Sequence, residues 1–181
     1  VVVFAVTGVE SIGQAFADEL FRVFPQQLPE IELHTMNTSP EVESMIASLA
    51  LASLAFALDK TRVYAEERIQ FDNKPIGRFQ RVQDVIVDMD IALERGLSWL
   101  MHCCRLYENN ALSREQAAKV KVDCSRSASE LLGLAMEVCG GVACFDEFGL
   151  IRHHNDLFVT RVGEGSNFAL KDLIVRPLRG K

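Results

Sequence analysis

Between Glu41 and Gln70 the chain contains neither glycine nor proline, and alanine and leucine fall on more than one face of the helix that this stretch would form. A helix that is apolar on several faces must be covered on several sides. Ser39 offers a capping hydroxyl before it, and Pro40 suits the first helical position because it needs no backbone donor there. The sequence therefore predicts a long core helix around which the rest of the chain is packed.

Two further long helices are expected downstream. Residues 78–107 carry apolar side chains at three- and four-residue steps, with charged residues between them. Ser113 and Gln116 stand at capping-box spacing, which predicts the start of a third helix running to about Val138 and ending at Gly140-Gly141.

A fourth helix is expected to start near Glu164. Four helices with short connections predict an antiparallel up-down four-helix bundle, so the chain is expected to be all-α over most of its length. The side chains expected to be largely buried in this bundle are Leu54, Leu58, Met89, Leu93, Leu97, Val120, Leu131 and Leu134.

Length, charge and cysteine usage restrict the partners. A chain of 181 residues is one domain or slightly more, and its net charge of -6 argues against a nucleic-acid partner, which requires a concentrated basic face. The longest apolar run, 49–58, is interrupted by Ser53 and is too short for a membrane helix, so no membrane partner is predicted. Five cysteines fit no disulfide framework and indicate a reducing compartment, the cytoplasm or, in a eukaryote, the mitochondrial matrix.

Two stretches of the sequence resemble segments of a known protein family. Residues 64–80 read Tyr-Ala-Glu-Glu-Arg-Ile-Gln-Phe-Asp-Asn-Lys-Pro-Ile-Gly-Arg-Phe-Gln, and the pair Asn155-Asp156 is followed eight residues later by Glu164-Gly165-Ser166. The first resembles the segment of acyl-CoA dehydrogenases that runs Tyr-Ala-x-x-Arg-x-Gln-Phe-Gly-x-Pro-Ile-x-x-Phe-Gln, and the second resembles the segment that holds the catalytic base of that family. The resemblance covers roughly residues 40–176.

The resemblance implies a domain division. Subunits of this family have an N-terminal helical domain, a middle β-domain and a C-terminal four-helix domain, so residues 37–181 are expected to be the last of these. Residues 1–36 are then a remnant of the middle β-domain, with a strand over 1–6, helical periodicity over 10–24 and a loop over 35–39. The start at Val1-Val2-Val3, without an initiator methionine, leads us to expect a fragment or a processed chain.

The resemblance also implies a reaction. These enzymes remove the pro-R α-proton of an acyl-CoA with a carboxylate while the β-hydride passes to FAD, which leaves a trans-2-enoyl-CoA. Glu164 matches the base, and burial would raise its pKa toward a useful value. From spacing alone the other interpretation is a loop glutamate near a helix start, stabilised by the helix dipole.

Cofactor residues follow from the same matches. Arg68, Gln70, Phe71 and Gln80 correspond to the positions that reach across a dimer to the adenosine diphosphate part of the neighbour's FAD, and an arginine suits phosphate because its planar fork pairs with two oxygens. The alternative is an arginine that interacts with the negative end of its helix, with Phe71 packing as a cap.

A second element of the flavin site is implied after the third helix. Glu137, Gly140 and Gly141 resemble the Gln-x-x-Gly-Gly backbone platform for the same diphosphate, and Ser166 completes the Glu-Gly-Ser match. Three acidic residues depart from the family pattern: Asp72 replaces a glycine, Glu137 a glutamine and Glu43 an arginine. Carboxylates beside a diphosphate weaken its binding unless they are turned away or neutralised.

No metal site is predicted. His153, His154 and Asp156 lie close in sequence, but adjacent histidines point apart on most backbones and no further ligand cluster accompanies them, so a structural polar turn is expected.

Two functions stay open at this point, with a helical bundle without flavin chemistry as a third. The first is an acyl-CoA dehydrogenase that works as a homo-oligomeric dimer or tetramer and passes electrons to an acceptor such as an electron-transfer flavoprotein. The second is a non-catalytic or half-site subunit that pairs with another acyl-CoA dehydrogenase subunit, which the acidic replacements favour.

Overall fold

The computed structural model describes residues 5–8, 34–37, 40–70, 73–163 and 165–179. Five α-helices occur within these ranges: α1 (Pro40–Glu67), α2 (Gln80–Glu108), α3 (Arg114–Cys139), α4 (Leu150–Val162) and α5 (Asn167–Val175). The strands are β1 (Ala5–Gly8), β2 (His34–Asn37), β3 (Ile69–Gln70) and β4 (Lys74–Pro75).

The predicted antiparallel up-down bundle is confirmed, but its fourth helix is α4 and not the helix expected near Glu164. Helix α3 lies at the centre of the bundle and contacts each of the other four helices. The close approach of α2 is visible at Gly96, where a Cβ atom would lie 2.4 Å from Leu51 of α1 and 3.3 Å from Cys124 of α3. The capping box predicted at the start of α3 is present, because the Gln116 backbone N–H donates to Ser113 Oγ and the Ser113 N–H donates to the Gln116 side chain.

Helix α4 corrects the expectation that residues 152–156 form a polar turn. This segment lies inside the helix, and the fully buried Leu150 and Leu157 hold it against the bundle. The run of arginine, histidine, asparagine and aspartate between these leucines hides the apolar spacing in the sequence. The last helical segment predicted near Glu164 is the short α5, which begins at Asn167.

The first two strands pair in parallel, with Ala5 opposite His34 and Thr7 opposite Met36. Strand β2 corrects the loop predicted over 35–39, because β1 supplies the hydrogen-bonding partner that a local sequence pattern does not reveal. A parallel pair needs a crossover connection of a dozen or more residues. The predicted helix over 10–24 and the predicted cap at Ser39 lie outside the described residues.

Most of the predicted core is confirmed. Leu54, Leu58, Met89 and Val120 are buried, while Leu93 and Leu131 are partly buried against the same cluster. The prediction is wrong for Leu97 and Leu134, which are 45% and 40% exposed. Both lie on parts of α2 and α3 that the other described helices leave exposed, because helical spacing identifies apolar positions but not which of them another helix covers.

Length and composition alone would allow two helical stretches, Val42–Glu67 and Arg114–Cys144, to cross a membrane. This is weak evidence, since a buried core helix of a water-soluble protein meets the same criteria.

Candidate functional site

A tight hairpin joins α1 to α2. The backbone N–H of Arg68 donates to the Tyr64 carbonyl at 2.9 Å, and the Arg68 carbonyl accepts from the Ile76 N–H at 2.9 Å. Strands β3 and β4 then pair antiparallel, with Ile69 opposite Pro75. Asn73 adopts a φ of 58°, as a tight turn requires. Phe71 and Asp72, which separate the two strands in sequence, lie outside the described residues.

The base of the hairpin is fixed against α1. Ile76 is buried, and a Cβ atom on Gly77 would lie 3.1 Å from the Ala65 carbonyl, so a larger residue there would require a small shift of the chain away from α1. The predicted cofactor residues Arg68, Gln70 and Gln80 are exposed. One guanidinium and two amides are thus exposed on the hairpin and at the start of α2.

The end of α3 lies at the same end of the bundle. A side-chain hydrogen bond joins Thr61, near the end of α1, to Cys139, the last residue of α3. Gly140 follows with a φ of 68°, and neither Gly140 nor Gly141 has a neighbouring atom within 4 Å of an added Cβ. Their backbone is therefore open to a ligand. The Glu137 side chain is also exposed on this face.

The turn between α4 and α5 is held from inside the bundle by a lysine. Lys121 of α3 is fully buried, and its Nζ donates to the Gly165 carbonyl at 2.8 Å and to Asn167 Oδ1 at 3.1 Å. Asn167 Nδ2 in turn donates to Ser125 Oγ at 3.0 Å. Ser166 caps α5 by accepting from the Ala169 N–H at 3.3 Å. Glu164, the predicted base, lies outside the described residues, between Gly163 and Gly165.

Glu43 is a second buried charged group in this half of the bundle. It lies in the first turn of α1 and is fully buried. Burial raises the pKa of Glu43 from its ordinary value of 4.5 to about 7, while the positive charges of Arg114 and Lys121 lower it less. A carboxyl group with this pKa changes its charge near neutral pH.

The two groups of residues lie at opposite ends of α3. Lys121 is near its start and Gly140 directly follows its end, so 19 residues, or about 28 Å along the helix axis, separate them. The hairpin residues and the glycine platform share one end, while the turn at Gly165 and Glu43 belong to the other. A bound chemical group much shorter than this distance can contact only one of the two ends.

Lys121 was not identified from the sequence. Its partner Gly165 is 44 residues away, and α3 has four basic residues, so nothing local distinguishes Lys121 from Arg114, Lys119 and Arg126. Glu43 was noticed in the sequence only as a departure from a family pattern.

His153 has a structural partner. Its Nδ1 lies 3.0 Å from Ser53 Oγ, and its ring stacks on Phe56 with the ring centroids 4.2 Å apart. Within the described ranges, no three His, Cys, Asp or Glu side chains are grouped to hold a metal ion.

Comparisons with known proteins find two family matches. Residues 43–178 match the family model described as acyl-CoA dehydrogenase, C-terminal domain. Residues 2–43 match a model described as a STAS-like domain of unknown function. The division into 1–36 and 37–181 stays a prediction.

Individual relatives agree with the longer match. The chain is 32% identical over 133 residues to an L-prolyl-[peptidyl-carrier protein] dehydrogenase of a Serratia strain, covering 74% of this chain and 34% of that protein. It is 34% identical over 124 residues to the mitochondrial short-chain specific acyl-CoA dehydrogenase of Bos taurus, covering 67% of this chain and 29% of that protein. The chain thus spans about a third of the length of the relatives it matches.

Among solved structures, glutaryl-CoA dehydrogenase from Mycobacterium smegmatis is similar with a TM-score of 0.75 and 30% identity, over 78% of this chain and 36% of that one. A structure described as PigA with FAD and proline has a TM-score of 0.71 and 30% identity, over 76% and 36% of the two chains.

Proposed function

This chain belongs to the acyl-CoA dehydrogenase family, and we propose that it takes part in FAD-dependent α,β-dehydrogenation of an acyl-CoA thioester to a trans-2-enoyl-CoA. One observation carries the proposal. The hairpin after α1 and the glycines after α3 form an exposed polar surface at one end of the bundle, while a turn tethered by a buried lysine occupies the other end.

The exposed end has the donors that a diphosphate requires. Arg68 can pair with phosphate oxygens through its planar fork, and the amides of Gln70 and Gln80 can donate beside it. The backbone of Gly140 and Gly141 can approach a phosphate because, among the described residues, no atom outside their chain neighbours lies within 4 Å of an added Cβ at either position. We assign Phe71 to this surface by its place in the motif. These residues fit the adenosine diphosphate part of FAD.

The other end is assigned the proton transfer. FAD, when bound, supplies the acceptor for the β-hydride of the acyl group. Glu164 takes the α-proton on its carboxylate, and the bonds from Lys121 to Gly165 and Asn167 limit the movement of the backbone next to it. A base held in position loses less entropy when it reacts than one on a free loop. Ser166 fixes the start of α5 on the other side of the turn.

The distance between the two ends of α3 favours an oligomer in which each flavin site uses residues of two subunits. Because about 28 Å of helix divides them, we propose that the hairpin and platform contact the flavin of a neighbouring subunit, while the Gly165 turn faces the flavin of its own. Exposed apolar side chains on α2 offer a surface for subunit contact. They are Val87, Ile91, Leu97 and Met101. The proposed electron acceptor is a separate protein such as an electron-transfer flavoprotein.

A second candidate is a half-site subunit of a heteromeric complex. The observation that favours it is the exposed carboxylate of Glu137 on the platform, where a negative charge opposes a diphosphate. In that case this chain would supply only one end of each site, and another subunit of the family would supply the other.

The test is anaerobic reduction of the FAD-loaded protein by a series of saturated acyl-CoA thioesters, followed by the visible flavin absorbance. We expect bleaching with at least one chain type, while the matched enoyl-CoA products, which have already lost the hydrogens, cause none. Bleaching only after another family subunit is added would favour the half-site candidate. A flavin-saturated protein that no acyl thioester reduces, alone or with such a subunit, would contradict the proposal.

A further inference from the structure

Phe145 is an aromatic residue that the bundle leaves uncovered beside the two open glycines. It is 62% exposed, although burying a phenylalanine ring is normally favourable. It directly follows the 3₁₀ helix Gly140–Cys144, which begins with those glycines. Single exposed apolar residues are common on protein surfaces, so the surroundings of the ring decide whether it serves a ligand.

The backbone on both sides of Phe145 is fixed by hydrogen bonds. Its N–H donates to the Val142 carbonyl at 3.2 Å, and its own carbonyl accepts from the Phe148 N–H at 3.1 Å. Arg152 Nη2 donates to the carbonyl of the next residue, Asp146, at 2.7 Å. The exposed ring thus belongs to an anchored segment, which would lose little further backbone freedom when a ligand binds to it.

This segment packs against the part of α1 that leads into the hairpin. The Phe148 ring meets the Tyr64 ring edge to face, with the centroids 5.8 Å apart. Lys60 Nζ lies 5.6 Å from the Phe148 centroid. Because Tyr64 is four residues before Arg68, these contacts hold the segment at the end of the bundle to which we assign the diphosphate of FAD.

The distance between Phe145 and the glycines suits the base of a nucleotide. A 3₁₀ helix rises about 2.0 Å per residue, so Phe145 follows Gly141 by roughly 8 Å along the helix axis. In an adenine nucleotide, one ribose separates the adenine ring from the first phosphate by a comparable distance. A phosphate bound to the glycine backbone therefore leaves its adenine within reach of Phe145.

The charges next to Phe145 favour a neutral ring over a phosphate at this position. Asp146 and Glu147 follow it in sequence, and both are exposed. Carboxylates repel phosphate oxygens, but they can accept hydrogen bonds from the amino group of adenine. A flat aromatic face beside such acceptors fits a purine base, which stacks readily on aromatic side chains.

We propose that Phe145 stacks on the adenine ring of the FAD whose diphosphate lies on Gly140 and Gly141, and that the adjacent carboxylates accept from the adenine amino group. The inference rests on the proposed function for the identity of the cofactor. It adds a residue that recognises the base, whereas Arg68 and the glycines recognise the phosphates. Binding of adenine does not require flavin reduction, so the two can be tested separately.

The experiment measures the affinity of the full chain, in its FAD-free form, for ADP, inorganic pyrophosphate and FAD by isothermal titration calorimetry. Phe145→Leu removes the ring and keeps an apolar side chain, while Phe145→Tyr keeps a ring. Phe158→Leu, which removes a 59% exposed phenylalanine from α4, is the matched control.

We expect Phe145→Leu to bind ADP and FAD about tenfold more weakly, the order of magnitude for the loss of one stacked base, and to bind pyrophosphate like the wild type. Phe145→Tyr should keep nearly the wild-type affinity for ADP, and Phe158→Leu should keep all three affinities. Phe145→Trp reports stacking directly, because ADP but not pyrophosphate should quench the additional tryptophan fluorescence of this variant.

Wild-type affinity for ADP in Phe145→Leu would overturn the inference, as would a wild-type protein that binds ADP no more tightly than pyrophosphate. An equal loss of pyrophosphate binding in Phe145→Leu would also overturn it, because Phe145 would then support the shape of the glycine backbone. A lower molecular mass of Phe145→Leu in light scattering would do the same, because the ring would then lie in a subunit contact.

These outcomes are distinguishable from failure of the proposed function. A protein that binds ADP through Phe145, but whose bound flavin no acyl thioester reduces, would refute the reaction and leave the recognition of adenine in place.

Discussion

The charged residues at the two ends of α3 differ in how deeply they are buried. At its C-terminal end, Arg68 and Glu137 are exposed, and the backbone of Gly140 is open. At its N-terminal end, Glu43 and Lys121 are fully buried, and the lysine is bonded to the turn at Gly165. A surface that binds an anion from solvent needs charged side chains that are exposed. A segment that holds a catalytic base in position needs charged side chains that packing keeps fixed.

The largest effect is expected at the turn itself. Glu164→Gln keeps nearly the same shape but cannot accept the α-proton, so flavin reduction by a good acyl-CoA should slow by about 10²- to 10⁴-fold. FAD binding should stay near the wild-type level because the diphosphate surface is at the other end of α3. Stopped-flow reduction measures this, with the exposed Glu147→Gln as control. If Glu164→Gln reduces flavin at the wild-type rate, Glu164 is not the base, and the two ends of α3 do not divide flavin binding from proton transfer.

Glu43 should make stability depend on pH in an unusual direction. Its pKa is about 7 in the folded protein and near 4.5 in the unfolded chain, so between these values the folded state binds more protons. The contribution of Glu43 to the free energy of unfolding should therefore be highest below pH 4.5. It should fall by up to about 3 kcal/mol as the pH rises through 7.

Glu43→Gln lacks this dependence, so it should be more stable than the wild type at pH 8 and lose the difference near pH 5. Denaturant unfolding at both pH values measures this, with Glu130→Gln to correct for the other carboxylates. A variant that is less stable than the wild type at both pH values would show that the buried carboxylate is well compensated.

At the exposed end the expected effect is on binding. Arg68→Ala should weaken FAD binding by roughly 10- to 100-fold, the range for a charged hydrogen bond to phosphate, while the free energy of unfolding changes little because the side chain is exposed. Activity should recover in excess FAD. The control in fluorescence titrations with FAD is Arg62→Ala, which removes an exposed arginine six residues earlier, within α1. Equal affinity in both variants would count against the diphosphate surface.

The smallest effect is expected on the platform. Gly140→Ala forces a side chain into a φ of 68° and should cost on the order of 1 kcal/mol of stability. Gly141→Ala meets no neighbouring atom and has no unusual φ, so its unfolding should match the wild type. Both substitutions should weaken FAD binding if the backbone here lies against the diphosphate. Chemical unfolding of the two variants measures the backbone strain, and titration with FAD measures the loss of binding. Wild-type affinity for FAD in both variants would exclude a role of these glycines in binding the diphosphate.

What could be predicted from the sequence was local. The long helices followed from periodicity, and the start of α3 followed from the three-residue spacing of Ser113 and Gln116, because a capping box is made within one turn. Helix α4 was missed since its two buried leucines stand seven residues apart, with a polar run between them. The contact of Lys121 with Gly165 spans 44 residues, and only the folded bundle brings these residues together.

Helix α3 also fixes the rotational phase between its two ends. With 3.6 residues per turn, each residue turns the helix by about 100° and advances it by about 1.5 Å. A single-residue deletion between Lys121 and Gly140 would therefore point the open glycines to a different side while the lysine kept its contact with the turn. Lineages that preserve both ends should tolerate substitutions along this helix far more readily than insertions or deletions, because the length of α3 is itself part of the site.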